Sequence, residues 1–121
     1  VWRIHSVRGV LLQPAAGKTF DLFVPTPPYI ASDVIPQLAV TVRGYEPHVA
    51  LDGGNRGLEI IERLVQEARN VLAPGGHFLC EIGYDQGKSV LELVEQAGGY
   101  GAVTVMPDQA GLPRLLKAVR R

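Results

Sequence analysis

Apolar residues recur with helical spacing at Leu58, Ile61, Leu64, Val65, Ala68, Val71 and Leu72, while Glu62, Arg63 and Arg69 fall on the other side. A stripe repeating every 3.6 residues predicts an amphipathic helix over 58–72 packed on a sheet. Asn55 stands in capping position, and Pro74-Gly75-Gly76 predicts a stop followed by a turn. A second stripe through Val90, Leu91, Leu93, Val94 and Ala97 predicts a helix over 87–96, closed by Gly98-Gly99. Between these helices, His77 to Gly83 reads as a strand buried on both faces. Phe20 to Val24 is a strand rich in residues that suit a pleated surface, and Val7 to Leu12 is a shorter one. Val103 to Met106 and Leu115 to Val119 are the last strands. Their connection, Pro107 to Pro113, is too short for a parallel crossover, so they pair as an antiparallel hairpin. Strands alternating with helices predict an α/β layered fold. Residues 30–54 carry weak periodicity and read as a long loop, with one short helix around Pro36 to Val42.

Composition narrows the picture. Among 121 residues, twelve basic side chains balance twelve acidic ones, which argues against a broad phosphate-binding surface. No apolar stretch approaches the length of a membrane span, and the N-terminus does not read as a signal peptide. The one cysteine, Cys80, excludes an internal disulfide framework and fits a reducing cytosol. It lies in the apolar run Phe78-Leu79-Cys80 and reads as a buried, inert thiol. His5, His48 and His77 have no ligand spacing, so no metal is assigned.

The chemistry concentrates after the strand at 20–24. In Thr26-Pro27-Pro28-Tyr29, adjacent prolines keep the backbone extended and leave carbonyls without competing local donors. Such carbonyls can accept hydrogen bonds from an NH2 group, and Tyr29 can wall a planar one. Open α/β sheets place ligands at the carboxyl ends of strands. Alone, the tetrapeptide reads first as a proline-rich turn with a packed tyrosine.

A wider set of residues carries more. Phe20 to Ile30 resembles the strand and Asn-Pro-Pro-Tyr motif of amino-group methyltransferases. Tyr45-Glu46-Pro47 with Ala50-Leu51, Gly53-Gly54 and Gly57-Leu58 is similar to the signature of release-factor glutamine methyltransferases. Leu72-Ala73-Pro74-Gly75-Gly76, Glu81-Ile82-Gly83 with Gln86, and Asp108, Gly111 and Arg114 follow in the same order. The resemblance implies a Rossmann-like class I methyltransferase sheet with a terminal antiparallel hairpin, residues 1–121 forming the C-terminal part of the catalytic domain. It implies S-adenosyl-L-methionine as cofactor. The implied partner is a peptide chain release factor, methylated on the glutamine amide of its Gly-Gly-Gln loop. It places substrate binding at Thr26, Pro27, Pro28 and Tyr29, and cofactor contacts at Thr26 and Leu11. It also implies a cytoplasmic enzyme with no membrane and no direct nucleic-acid contact.

Three departures bear on that expectation. Thr26 stands where the family has asparagine, and Val10 where it has an acidic residue. The glycine-rich loop that cradles the cofactor lies, in the family, upstream of this sequence. Gly53-Gly54-Asn55-Arg56-Gly57 does not replace it, because it follows a loop rather than a strand and reads as a tight turn into the helix. Two other readings stay open: a nucleic-acid base amino methyltransferase, and an inactive remnant.

Several polar residues take quieter roles. Glu46 reads as structural in its loop. Glu81 is expected at the carboxyl end of its strand, or paired, since a lone charge inside an apolar strand is costly. Asp85 and Gln86 are weaker site candidates, and Arg114, Arg120 and Arg121 read as a solvated basic edge.

Overall fold

The computed structural model describes residues 3–28 and 57–121. Four strands form one sheet: β1 (Phe20–Phe23), β2 (Leu72–Glu81), β3 (Tyr100–Pro107) and β4 (Pro113–Arg120). Among the described residues two helices accompany them, α1 (Glu59–Ala68) before β2 and α2 (Gly87–Ala97) after it. The spatial order is β1-β2-β4-β3. β1 and β2 are parallel, and β4 lies antiparallel to both β2 and β3. The expected terminal hairpin is present, and its return strand is inserted between β2 and β3.

Side-chain alternation explains which face is buried. Phe78, Cys80 and Ile82 are fully buried on one face of β2, as are Leu116 and Ala118 on β4. Ile61, Leu64, Val65 and Ala68 of α1, with Val90 and Val94 of α2, close over them. Leu58 and Leu72 are buried too, whereas Glu62 and Arg63 face solvent, as the helical stripe requires. Phe78 stacks between Phe23 and Tyr100, with ring centroids 5.7 and 6.1 Å away. The Tyr100 hydroxyl donates to the Val65 carbonyl at 2.5 Å, tying α1 to the first residue of β3. Burial pushes its pKa up to about 12, against the pull of Arg69 and Arg120.

Arginines finish both helices. Carbonyls in a helix's last turn lack intrahelical partners and carry partial negative charge. Arg69 donates through one guanidinium nitrogen to the carbonyls of Ala97 (2.5 Å) and Gly98 (3.5 Å), at the end of α2. Arg120 donates to the Arg69 carbonyl at 2.7 Å, just past α1. Asp108 organises the hairpin turn by accepting from the Ala110 and Leu112 amides at 2.9 and 3.1 Å. Those bonds, chiefly the one from Leu112, hold its carboxyl below the usual range, and Arg114 adds to the effect at 3.4 Å. The expected solvated arginine edge is therefore reduced to Arg121, because Arg114 and Arg120 are half-buried and engaged.

Other expectations need correction. Residues 7–12 form no strand: the chain runs irregularly to a turn and then a single 3-10 turn at Gln13–Ala15. Pro14 sets that turn, and Gly9 packs so closely on it that a Cβ would lie 2.4 Å from Pro14 Cγ. Helix α1 stops at Ala68, and Leu72 already pairs with Phe20 in the sheet. Pro74-Gly75-Gly76 does not precede β2 but lies within it. Between Phe20↔Leu72 and Leu22↔His77, β2 spends four residues against one on β1, and Gly75 takes φ +84° in the excursion. β2 is also not buried on both faces, since His77 is exposed and Leu79 and Glu81 are half-buried. Both described helices cover the other face. The expected loop at 30–54, its short helix and the Asn55 cap lie outside the described residues, and the residue preceding α1 is Leu58, which makes no side-chain cap.

β3 contains a further irregularity. Gly101 pairs with Val119 and Thr104 with Lys117, leaving one extra residue on β3, and Ala102 takes φ +48°. That left-handed conformation costs a residue with a Cβ about 1–2 kcal/mol, whereas glycine accepts it freely. Ala102 is exposed, so little packing would be lost. Ala102→Gly should raise stability by about 0.5–1 kcal/mol, the strain relieved less glycine's extra chain entropy. Denaturant unfolding would show this as a higher midpoint, and a lower one would contradict it.

Candidate functional site at the strand ends

Parallel β1 and β2 end side by side, and the described part of the proline motif leaves the sheet there. The Glu81 amide donates to the Pro25 carbonyl at 3.3 Å, so the sheet continues one step beyond β1. Thr26 is then exposed, Pro27 buried and Pro28 half-buried. Within the described residues no hydrogen bond engages these three residues. Tyr29 lies outside the described residues, as do Glu46 and the Gly53–Arg56 turn.

The opposite wall is the turn from β2 into α2. Glu81 ends β2, where a carboxylate at a strand's carboxyl end was expected. Gly83 follows, and a Cβ there would meet Gln86 Oε1 at 3.1 Å and Asp85 Oδ1 at 3.2 Å, so a larger residue would have to push these side chains aside. Gln86 is the one polar residue among the described buried set. Its Oε1 accepts from the Gly83 amide at 2.8 Å, and its Nε2 donates to the Gly57 carbonyl at 3.2 Å. Gly57, with φ +73°, leads into α1. Asp85 is exposed. Gln86 thus has a larger part than its weak standing in the sequence suggested. Only its position after a buried strand signalled this, because its partners lie 3 and 29 residues away.

Cys80 sits close behind this edge but takes no part in it. Burial, reinforced by the charge of Glu81, pushes its pKa up to about 12, which leaves the thiol protonated and inert.

Among the described residues, the two assigned to the cofactor, Leu11 and Thr26, are not brought together. Leu11, half-buried at φ +49°, lines a hollow of about 370 Å³ with His5, Pro14, Lys18 and Phe20. That hollow is at the amino end of β1, and Thr26, at the carboxyl end, is not among its lining. Nor do the described residues supply a cradle. At the described strand-to-helix turn, β2 to α2, the Gly83 amide is already taken by Gln86. The described residues therefore do not fit a whole nucleoside-bearing cofactor.

Comparison with known proteins agrees with the fold and the motifs. No protein-family model matches the chain. A release factor glutamine methyltransferase of Moorella thermoacetica is 41% identical over 98% of this chain and 42% of its own. One of Cereibacter sphaeroides is 44% identical over 86% and 37%, and one of Caulobacter vibrioides 48% over 72% and 30%. The chain thus spans less than half the length of these relatives. Among solved structures, a methyltransferase from Pyrococcus furiosus superposes with a TM-score of 0.51 at 22% identity, over 87% of this chain and 42% of that one. That likeness concerns the fold.

Proposed function

The chain belongs to the release factor glutamine methyltransferase family, spanning under half the length of the members it matches, and on that premise we infer that it forms the acceptor-side, C-terminal part of a methyltransferase catalytic domain. The reaction is transfer of a methyl group from S-adenosylmethionine to the side-chain amide nitrogen of a glutamine. The acceptor is a peptide chain release factor presenting a Gly-Gly-Gln loop, and the compartment is the cytoplasm. Among the described residues, no helix is long and apolar enough to cross a membrane.

One observation carries this reading: the proline motif emerges at the carboxyl end of a parallel strand pair with the carbonyls of Thr26, Pro27 and Pro28 uncommitted among the described residues. An amide nitrogen is a weak nucleophile, because its lone pair is delocalised into the carbonyl. Among the described residues, the carboxylates at this edge, those of Glu81 and Asp85, are weak bases. Positioning is what these residues can provide. Carbonyl acceptors would hold both amide hydrogens and fix the direction in which the nitrogen faces. Thr26 Oγ1 would add one acceptor, where asparagine offers an acceptor and two donors, and Tyr29 would pack against the flat amide.

The test uses the complete polypeptide carrying this sequence, S-adenosylmethionine with a tritiated methyl group, and a Gly-Gly-Gln peptide. Label should appear on the glutamine and not on a Gly-Gly-Glu control. Label on a single-stranded oligonucleotide but not on the peptide would overturn the acceptor assignment.

A further inference from the structure

Three passages of chain meet around the carboxyl end of β2, and Gln86 bonds two of them together. The first leaves β1 at Pro25–Pro28, the second enters α1 at Gly57–Leu58, and the third is the turn Gly83–Gln86 out of β2. The third is joined to the second by the Gln86 Nε2 bond to the Gly57 carbonyl, and closed on itself by the Oε1 bond from the Gly83 amide. The Gln86 amide also donates to the Gly83 carbonyl at 3.0 Å, and its carbonyl accepts the Val90 amide at 2.9 Å, at the start of α2. Two residues before Gly83, the Glu81 amide holds the Pro25 carbonyl, and the neighbouring Ile82 amide donates to Arg114 on β4 at 2.9 Å. The end of β1 is thus tied to a stretch of β2 that β4 also holds, and whose continuation into α2 is joined to Gly57 by a buried carboxamide.

We propose that Gln86 is a positioning residue for the candidate acceptor site, bracing the Gly83–Gln86 turn against Gly57 so that the strand end bearing Thr26, Pro27 and Pro28 keeps a fixed place beside β2. This rests on the functional reading above only for the identity of the acceptor. The chemistry suits the task. A carboxamide is neutral and offers an acceptor and a donor from one rigid plane, so it can serve an amide and a carbonyl at once without burying a charge. Gln86 is 5% exposed, which puts both bonds out of competition with water. Glutamate keeps the acceptor but places a carboxylate oxygen against the Gly57 carbonyl, and methionine keeps the length while losing both partners.

Two readouts test the proposal in the complete polypeptide, with Gln86→Met and, should that variant not fold, Gln86→Glu. The first is hydrogen exchange at the Glu81 amide, whose partner is the Pro25 carbonyl. Its protection should fall about tenfold, equivalent to roughly 1.4 kcal/mol of easier local opening, while amides in the β3–β4 ladder keep theirs. Unchanged protection at Glu81 in a folded variant would overturn the brace. The second is methyl transfer to the Gly-Gly-Gln peptide, where kcat should fall about tenfold with the donor's KM unchanged, the pattern of a misplaced acceptor. An unchanged kcat, or a parallel rise in the donor's KM, would also overturn it. If the unsubstituted protein labels no peptide at all, the functional reading fails, and exchange at Glu81 still decides the role of Gln86.

Discussion

Phe78→Ala should lower the unfolding free energy by about 3–5 kcal/mol, the usual cost of removing a fully buried aromatic ring. Phe78 has no exposed surface and sits where the sheet, α1 and the Tyr100 ring meet. On its other side Phe23 is the inward-facing residue of β1, a strand of only four residues. The ring therefore joins the shortest strand to the core, and its cavity has rigid backbone on two sides. A domain of this size has a total stability of roughly 5–15 kcal/mol, so the variant would be close to unfolding. Urea titration gives the measurement, with Phe78→Leu as a variant that loses less volume and should lose much less stability. A loss below 1 kcal/mol for the alanine variant would show that β1 does not depend on this contact.

Thr26→Asn, in the complete polypeptide, should raise the single-turnover rate of glutamine methylation by about two- to tenfold. One added hydrogen bond to a neutral group is worth roughly 0.5–1.5 kcal/mol, and that factor follows if the bond acts only in the transition state. Asparagine reaches further from the backbone than threonine and can donate while it accepts. Thr26 is exposed at the end of β1, so the larger side chain displaces nothing packed. Equal rates would mean that position 26 does not face the amide. A slower asparagine variant would mean that the pocket has adapted to threonine, and glutamine would then be abandoned as acceptor before methyl transfer itself.

The sequence disclosed those parts of the fold that depend on local repetition. The α1 stripe through Ile61, Leu64, Val65 and Ala68, the α2 stripe through Val90 and Val94, and the hairpin with its short connection all follow from spacing within a few residues. Long-range pairings left no such trace. Nothing local in Pro74-Gly75-Gly76 distinguishes a turn before a strand from an excursion inside one, because the register is fixed by Phe20, more than fifty residues earlier. Arg69 and Arg120 look like surface charges until the helix ends they cap are brought to them. The false strand at 7–12 shows the converse. An apolar run is not enough when Gly9 and Pro14 pack on each other. At the site, the proline motif was legible because it is a contiguous word placed after a strand. Gln86 was legible only as a polar residue in a turn, since its meaning depends on Gly57.

The extra residue at Ala102 has a bearing on colloidal behaviour. Among the described residues β3 is the outer strand on its side of the sheet, and an unbroken outer strand offers its backbone to any passing chain. The left-handed step at Ala102 interrupts that offer three residues into the strand, between the Gly101 and Thr104 pairings. Pairing of the β3 margin with a second chain is therefore disfavoured when the protein is concentrated.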